Sequence, residues 1–510
     1  MLKSSALKII QSFSKEEISE FNDFLKSPYH NKKSGVVKLY NEIKKYYPDF
    51  KDENLDKEKL WSKLYPGKMY SYGVMKNLIF ELTGLAENYI ALNNFRQNEL
   101  KMFSELSESL RMRKLNSVLE SKNNILTKKF SDSGAANYSG HVTEYFNILY
   151  NNSMRNIDFK HIYRYGYDFH EEMQLSSDQN FLNLYTNMVQ LFISNFFYSF
   201  TSNKISKKTD IVMMIECIPE DFIEKAIKEI KPRSEVKYNI LMCYFLAYKL
   251  LSDINVVNHY KQFMEFFEES TYCMSIETIA DLQILATNII FLAHPKTFDK
   301  PKELYDIYLF RESTNTFLNE DFLTSSNFIG YISILFEEGE ADEIENFILK
   351  YKHYLFGSDK EDMIDFSNAI LNFKKGHYQK TLQMLSTLKF DDFHHECFVR
   401  KFVMMAYFEL NDYDSFILNL DSVKHFLKYN SKDVVNIASS KYKKWQMELL
   451  NKFVNDLNRL FKLKLNSDIA GLIALRNEIE EKDVNLKKSF LRQIDKTISE
   501  IPVIGKRNTA

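Results

Sequence analysis

The apolar residues of this chain recur with the period of an α-helix and almost nowhere with the period of a strand. Met75, Leu78, Leu82, Leu85, Tyr89 and Leu92 are separated by steps of three and four, which gathers them into one stripe on one helix face. Trp445, Leu449, Phe453, Leu457 and Leu460 repeat the spacing. Leu475, Ile479, Leu486, Phe490, Ile494 and Ile498 keep it with one polar position at Lys482. A half-buried strand needs alternation by two between turn signals, and no such run of β-branched residues stands out. Composition agrees: 13 glycines and 8 prolines in 510 residues, against typical shares of ~7% and ~5%, leave little punctuation for a fold with many tight turns. The expected class is all-α, long helices joined by short loops.

The glycine shortage also bears on chemistry. Neither G-x-x-x-x-G-K-[ST] nor G-x-G-x-x-G occurs, so no glycine-rich phosphate cradle is readable. G-x-S-x-G and H-E-x-x-H are likewise missing. The densest run of potential metal ligands is His394-His395-Glu396-Cys397, but adjacent residues on a helix point about 100° apart, so the two histidines do not share one ion easily. No catalytic, cofactor or metal site is assigned. A catalytic set assembled from distant positions would leave no local motif, which keeps an enzyme or defence effector as an alternative.

Charge is balanced overall, 67 Lys+Arg against 69 Asp+Glu, which disfavours nucleic acid as the main partner. Two swings interrupt the balance. Pro301 to Glu345 carries 11 acidic and 2 basic residues, a net of -9; Lys441 to Ala510 carries 15 basic and 9 acidic, a net of +6. Both read first as solvated helix faces. Most of the run Glu337-Glu338-Gly339-Glu340-Ala341-Asp342-Glu343-Ile344-Glu345 reads as the start of a helix, where carboxylates favour the positive dipole end; a patch for a basic partner is the other reading. Lys441, Lys443, Lys444 and Trp445 would place basic and aromatic side chains together, as nucleic-acid contact requires; a solvated lysine face with Trp445 in the core is the plainer reading.

Cys217, Cys243, Cys273 and Cys397 form no C-x-x-C pair, the pattern of free thiols in a reducing compartment. The start of the chain lacks a continuous apolar segment of signal type. The most apolar stretch, Phe181 to Phe200, is broken by Asn183, Thr186, Asn187, Gln190 and Ser194 and does not fit a membrane span. The expected location is the cytoplasm.

Three regions are expected: an N-terminal helical unit at 1–130, a helical middle region at 135–300, and an array of helical hairpins at 301–510. In the first, helices are expected at Ser14 to Lys26, near Val36 to Tyr47, around Leu60 to Tyr65, and from an N-cap at Ser71 through Leu92. Helix should continue from Asn93 to Phe130 and break at Ser131-Asp132-Ser133-Gly134. In the middle, stops are expected at Ser202-Asn203, Pro219, Lys231-Pro232 and His294-Pro295.

The array is marked by three turns. Gly339, Gly376 and Asn411 each stand between two helical patterns, and they lie 37 and 35 residues apart. Gly and Asn suit the left-handed position that closes a helix. Around Gly376 the pattern is fullest: Ala369, then Gly376-His377-Tyr378, then Leu382 and Leu385. Asn411-Asp412-Tyr413 repeats the turn and its aromatic. The stretch Phe366 to Leu388 resembles a tetratricopeptide (TPR) repeat, whose period is ~34 residues. Ala369 stands at the small position of the first helix, Gly376 and Tyr378 at the turn and leading aromatic of the second, and Leu382 at its core. Thr381 and Phe416 depart from the alanine that family prefers. Phe24-Leu25-Lys26-Ser27-Pro28 and Leu64-Tyr65-Pro66-Gly67 resemble segments of uncharacterised helical proteins of Bacteroidota; that resemblance implies no activity.

The resemblance implies an α-α superhelix, a TPR-like solenoid. Stacked hairpins leave an extended concave face, which suits a peptide or helix from a protein partner. The expected function is therefore a non-catalytic interaction scaffold or adaptor without a cofactor. A nucleic-acid-associated regulator using the basic 441–510 region is the alternative.

Overall fold

The computed structural model describes residues 4–48, 50, 55–115, 117–122, 125, 136, 138, 144–145, 147–151, 170–202, 210–294, 296–318, 323–356, 359–388, 390, 392–431, 438–481 and 486–501. The chain divides into two compact units, Met1–Leu126 and Thr127–Ala510. Among the described residues the fold is all-α. Its only strands are a parallel pair of two residues each, Leu323–Thr324 beside Leu355–Phe356.

The first unit holds α1 (Ser5–Gln11), α2 (Lys15–Lys26), α3 (Ser34–Ile43), α4 (Lys57–Leu64), α5 (Tyr72–Gln97) and α6 (Glu99–Met112). Ser14 and Glu17 start α2 as a reciprocal capping box: the Ser14 N–H donates to Glu17 Oε2 at 2.8 Å and the Glu17 N–H to Ser14 Oγ at 3.2 Å. Of the stripe from Met75 to Tyr89, Met75, Leu78, Leu82 and Tyr89 are buried and Leu85 is half-buried against the same core. The helix packs on α1, α2 and α3. Phe21 sits at the centre, its ring 4.9 Å from that of Tyr40, 5.2 Å from Tyr89 and 5.3 Å from Phe13. Full burial of such a ring contributes roughly 1.5–3 kcal/mol. The Tyr40 hydroxyl reaches the Ile18 carbonyl at 2.7 Å, so that ring is buried without orphaning its polar atom.

Two expectations for this unit need correction. Helix does not run on through Asn98. The Asn98 side chain instead accepts the Lys101 N–H at 3.0 Å, the local competition that makes asparagine a cap and not an interior residue. α6 then ends at Met112, with Lys114 at φ 58°. Ser71 does occupy the cap position of α5, but its hydroxyl bonds no helix N–H. The expected break at Ser131–Gly134 lies outside the described residues.

The second unit begins with α7 (His170–Ser202), α8 (Asp210–Cys217), α9 (Glu220–Ile230), α10 (Glu235–Ser252), α11 (Val257–Ser270), α12 (Ile276–Leu292) and α13 (Lys300–Ser313). Two stops fall where expected: Pro219 occupies the cap position of α9, and α9 ends at Ile230, directly before Lys231-Pro232. The expected stop at Ser202-Asn203 falls where Asn203 lies outside the described residues. α12 ends at Leu292, two residues before His294; Pro295 lies outside the described residues. Asp178 anchors this part. It is buried and accepts Arg233 Nε at 2.8 Å and Nη2 at 2.9 Å, a bidentate pair.

There follow α14 (Ser325–Glu338), α15 (Ala341–Tyr351), α16 (Lys360–Lys374), α17 (Tyr378–Leu385), α18 (Phe393–Glu409), α19 (Tyr413–Asn430), α20 (Ala438–Leu465), α21 (Ile469–Glu481) and α22 (Lys487–Glu500). α14 pairs with α15, α16 with α17 and α18 with α19. Each first helix also packs on the next: α14 on α16, α16 on α18, α18 on α20. One continuous apolar core runs from Tyr308 to Ile494.

The stripe from Leu475 to Ile498 belongs to two helices and not one. α21 is described to Glu481, and Leu486 takes φ 57°, ψ 40° immediately before α22. A left-handed leucine costs roughly 1–2 kcal/mol, so this backbone is held by its surroundings. Among the described residues no helix is long and apolar enough to cross a membrane.

Candidate functional site

The seven residues expected to mark the array fall at turns between helices or on the helices beside them. Gly376 has φ 81° and Asn411 φ 60°, the left-handed positions that glycine and asparagine tolerate. Gly339 does not share that conformation. Its φ is -84° and its ψ 175°, and what favours glycine there is space: a Cβ would lie 3.0 Å from the Leu335 carbonyl oxygen and 3.1 Å from Glu343 Oε2, a tight fit. Ala369 is fully buried. Tyr378 opens α17 with its ring 5.0 Å from Phe373, and Leu382 lies on the same core. Tyr413 opens α19 with its ring 5.2 Å from Phe461.

The two departures from the alanine pattern are accommodated. Thr381 is buried, and its hydroxyl donates to the His377 carbonyl at 3.1 Å and to that of Ala369 at 3.3 Å. Phe416 is buried with its ring 5.0 Å from Phe461.

The acidic run divides between two helix ends. Glu340 caps α15 and Glu343 closes the capping box, with the Glu340 N–H 2.7 Å from Glu343 Oε2. Asp342 and Glu343 fill the first turn, as the dipole favours. Glu337 and Glu338, however, end α14, where the dipole opposes a carboxylate. They are held there by α22. The buried Glu337 carboxylate accepts the Lys488 N–H at 2.8 Å and the Ser489 N–H at 3.2 Å, two of the donors that a helix start leaves unpaired. Arg492 Nη2 donates to the Glu337 carbonyl at 2.7 Å. Lys488 Nζ bridges Glu338 at 2.7 Å and Asp299 at 3.0 Å.

The same helix reaches α18. Lys496 Nζ donates to Glu409 Oε2 at 2.8 Å and Gln493 Nε2 to Glu409 Oε1 at 3.3 Å. α22 thus runs from the end of α14 to the end of α18. Lys374, at the end of α16 between them, donates to the Phe336 carbonyl at 2.8 Å. Burial and the neighbouring Arg492 guanidinium hold the Lys374 ammonium below the usual lysine range. Burial pushes the Glu337 carboxyl up to about 7 against the lowering effect of its two N–H donors. The buried face of α22 is mixed: Ser489, Gln493 and Thr497 beside Phe490 and Ile494, with Leu491 and Ile498 half-buried on the same core.

Of the residues around α22, only Glu337 and Glu338 stood out in the sequence, as part of an acidic run that could face a basic partner. The signal was present as charge: the acidic 301–345 segment and the basic 441–510 segment meet each other here. Other basic residues of the second segment are also occupied, Arg459 by Glu478 at 2.6 Å and Arg476 by Asp495 at 2.7 Å. Lys443 lies over the Phe393 ring at 5.1 Å; the side chains of Lys441 and Trp445 lie outside the described residues.

A second polar cluster lies on α18. Lys401 is fully buried, with Nζ 4.8 Å from the Phe398 ring, and burial pulls its ammonium down to about 8. One turn earlier, burial pushes the Cys397 thiol up to about 12. His394 is pulled down to about 4 by burial. His395 is buried with Nδ1 3.7 Å from Asp359 and 3.9 Å from Asp392. Among the described residues no three of His, Cys, Asp and Glu are placed to hold a metal ion.

In the first unit, α2 and α5 border a groove of about 380 Å³ lined by Glu20, Asp23, Phe24, His30, Tyr89 and Arg96, among others. The Phe24 and His30 rings stack at 4.0 Å, and the Tyr89 hydroxyl donates to Glu20 at 2.9 Å.

No protein-family model, curated protein or solved structure matches this chain.

Proposed function

We propose that the hairpins from α14 to α19 form a TPR-like solenoid and that the protein is a non-catalytic scaffold or adaptor that binds a helix of another protein. One observation carries this reading: the ends of α14 and α18 already hold an α-helix, α22, by its free N–H groups and its basic side chains. A surface that caps a helix start and pairs a basic stripe has the chemistry of a helix-binding site. Unpaired thiols at all four cysteines suit a cytoplasmic location.

The nucleic-acid alternative loses support at Lys488 and Lys496, which pair with Asp299, Glu338 and Glu409 outside the basic segment; the Arg459 and Arg476 pairs lie within it and leave its net charge unchanged. Capture of the full-length protein from native lysate, with and without nuclease, separates the readings. Protein partners that survive nuclease are expected. Binding to DNA or RNA that weakens steeply with salt would replace the scaffold reading with the regulator.

A further inference from the structure

We infer that α22 is a displaceable occupant of its seat, and that the seat's external ligand is an amphipathic helix with basic residues at i, i+4 and i+8 from its start. The inference rests on the scaffold reading and specifies its partner.

The seat defines its ligand through α22. Lys488, Arg492 and Lys496 stand four residues apart, so they form one stripe along the helix. Each meets a different acceptor: the Glu338 and Asp299 carboxylates, the Glu337 carbonyl, and the Glu409 carboxylate. Glu337 adds a requirement that no side chain meets, the unpaired N–H groups of a helix start. Phe490 and Ile494 supply the apolar part, the Phe490 ring lying 5.9 Å from Phe453. An incoming helix therefore needs a start at the Glu337 end, three cations on one side and two apolar residues on the other.

Three features make the present occupant exchangeable. First, its buried face mixes Ser489, Gln493 and Thr497 with Phe490 and Ile494, while Leu491 and Ile498 pack half-buried on the same core, so a share of its hold is polar and a competitor of the same pattern, apolar residues included, restores it. Second, the resident helix starts from Leu486 at φ 57°, a left-handed conformation that is costly for leucine; a separate helix has no such junction. Third, seating buries the Glu337 carboxylate, which must stay hydrogen-bonded once water is excluded. A resident helix held on these conditions blocks weak ligands and yields to one with the full pattern.

The experiment uses the full-length protein and a fluorescein-labelled synthetic peptide of residues 487–500. In the Arg492→Ala/Lys496→Ala variant, the resident helix keeps its apolar residues and loses two of its three basic contacts. The peptide is expected to bind that variant at least tenfold tighter than wild type, and adding Glu409→Gln should remove at least fivefold of the gain. Hydrogen exchange on the wild type gives a readout free of substitutions. Amides of Phe490–Ser499 should exchange at least tenfold faster than those of Phe402–Phe408 on α18, and faster still with excess unlabelled peptide present during labelling. Equal peptide affinity for wild type and variant, exchange of α22 in step with α18, or dimerisation of the variant without peptide binding would each overturn the inference. The scaffold reading survives those results if nuclease-resistant protein partners are still captured.

Discussion

The Glu337 carboxylate accepts the backbone N–H of Lys488 at 2.8 Å, so the last turn of α14 caps a helix that begins at residue 487. The same carboxylate takes the Ser489 N–H. Lys488, Arg492, Lys374 and Glu338 are the charged groups around it. Its position decides how stability responds to pH.

Burial pushes Glu337 up to about 7 from an ordinary value of 4.5. Between those two values the folded chain keeps a proton that the unfolded chain releases. The contribution of this group to stability therefore falls as pH rises through that window. Glu337→Gln removes the titration and keeps the shape. Measured by urea unfolding, the variant should gain on wild type by on the order of 1–3 kcal/mol between pH 5 and pH 8. A difference that stays constant with pH would contradict this.

Lys401 gives the opposite slope. Its ammonium is pulled down to about 8 from 10.5 by burial, so the unfolded chain holds the extra proton between those values and this group's contribution rises with pH there. Replacing a buried cation with an apolar residue of similar volume is often stabilising. Lys401→Met should raise stability at pH 7 by on the order of 2 kcal/mol, and the advantage should shrink as pH approaches 10. Thermal or urea unfolding at pH 7, 8.5 and 10 reads this directly.

The turn glycines separate by cause. At Gly376 the obstacle is φ 81° with open space around the missing Cβ. Gly376→Ala should cost about 1 kcal/mol, and Gly376→Asn clearly less, because asparagine tolerates that conformation. At Gly339 the obstacle is crowding by Leu335 and Glu343, so Gly339→Asn should cost at least as much as Gly339→Ala. Urea midpoints of the four variants test the contrast; equal rescue by asparagine at both sites would refute it.

Thiol chemistry should sort the cysteines. Cys217 is exposed, while Cys243, Cys273 and Cys397 are buried, and burial pushes Cys273 and Cys397 up to about 12. Thiolate is the reactive form. Titration of the native protein with a chromogenic disulfide at pH 8 should therefore show one fast equivalent, assigned to Cys217 by its loss in Cys217→Ser. The other three should react only after denaturation.

Local physics made much of the fold legible. The stripe Met75 to Tyr89 could be read because burial on one helix face imposes its own period. Gly376 and Asn411 could be read because a left-handed turn restricts the residue type. Gly339 misled because a close approach, and not a left-handed dihedral angle, favours glycine there. The stripe Leu475 to Ile498 hid a break because Leu486 carries its left-handed backbone on a residue type that gives no warning. The seat of α22 was legible only as two unequal charge segments. Their pairing joins residues some 150 positions apart, and nothing in a periodicity or a short motif reports a contact of that range.

The order of synthesis gives the capped helix start a further meaning. α14, α16 and α18 are complete by Glu409, whereas α22 begins only at Lys487. At ~5–20 residues per second, the intervening stretch takes on the order of several seconds to make. During that interval a growing chain presents Glu337 and Glu409 without their eventual cover. A ligand met during translation would compete with no resident helix, so the time of encounter, and not affinity alone, would set which helix the surface keeps.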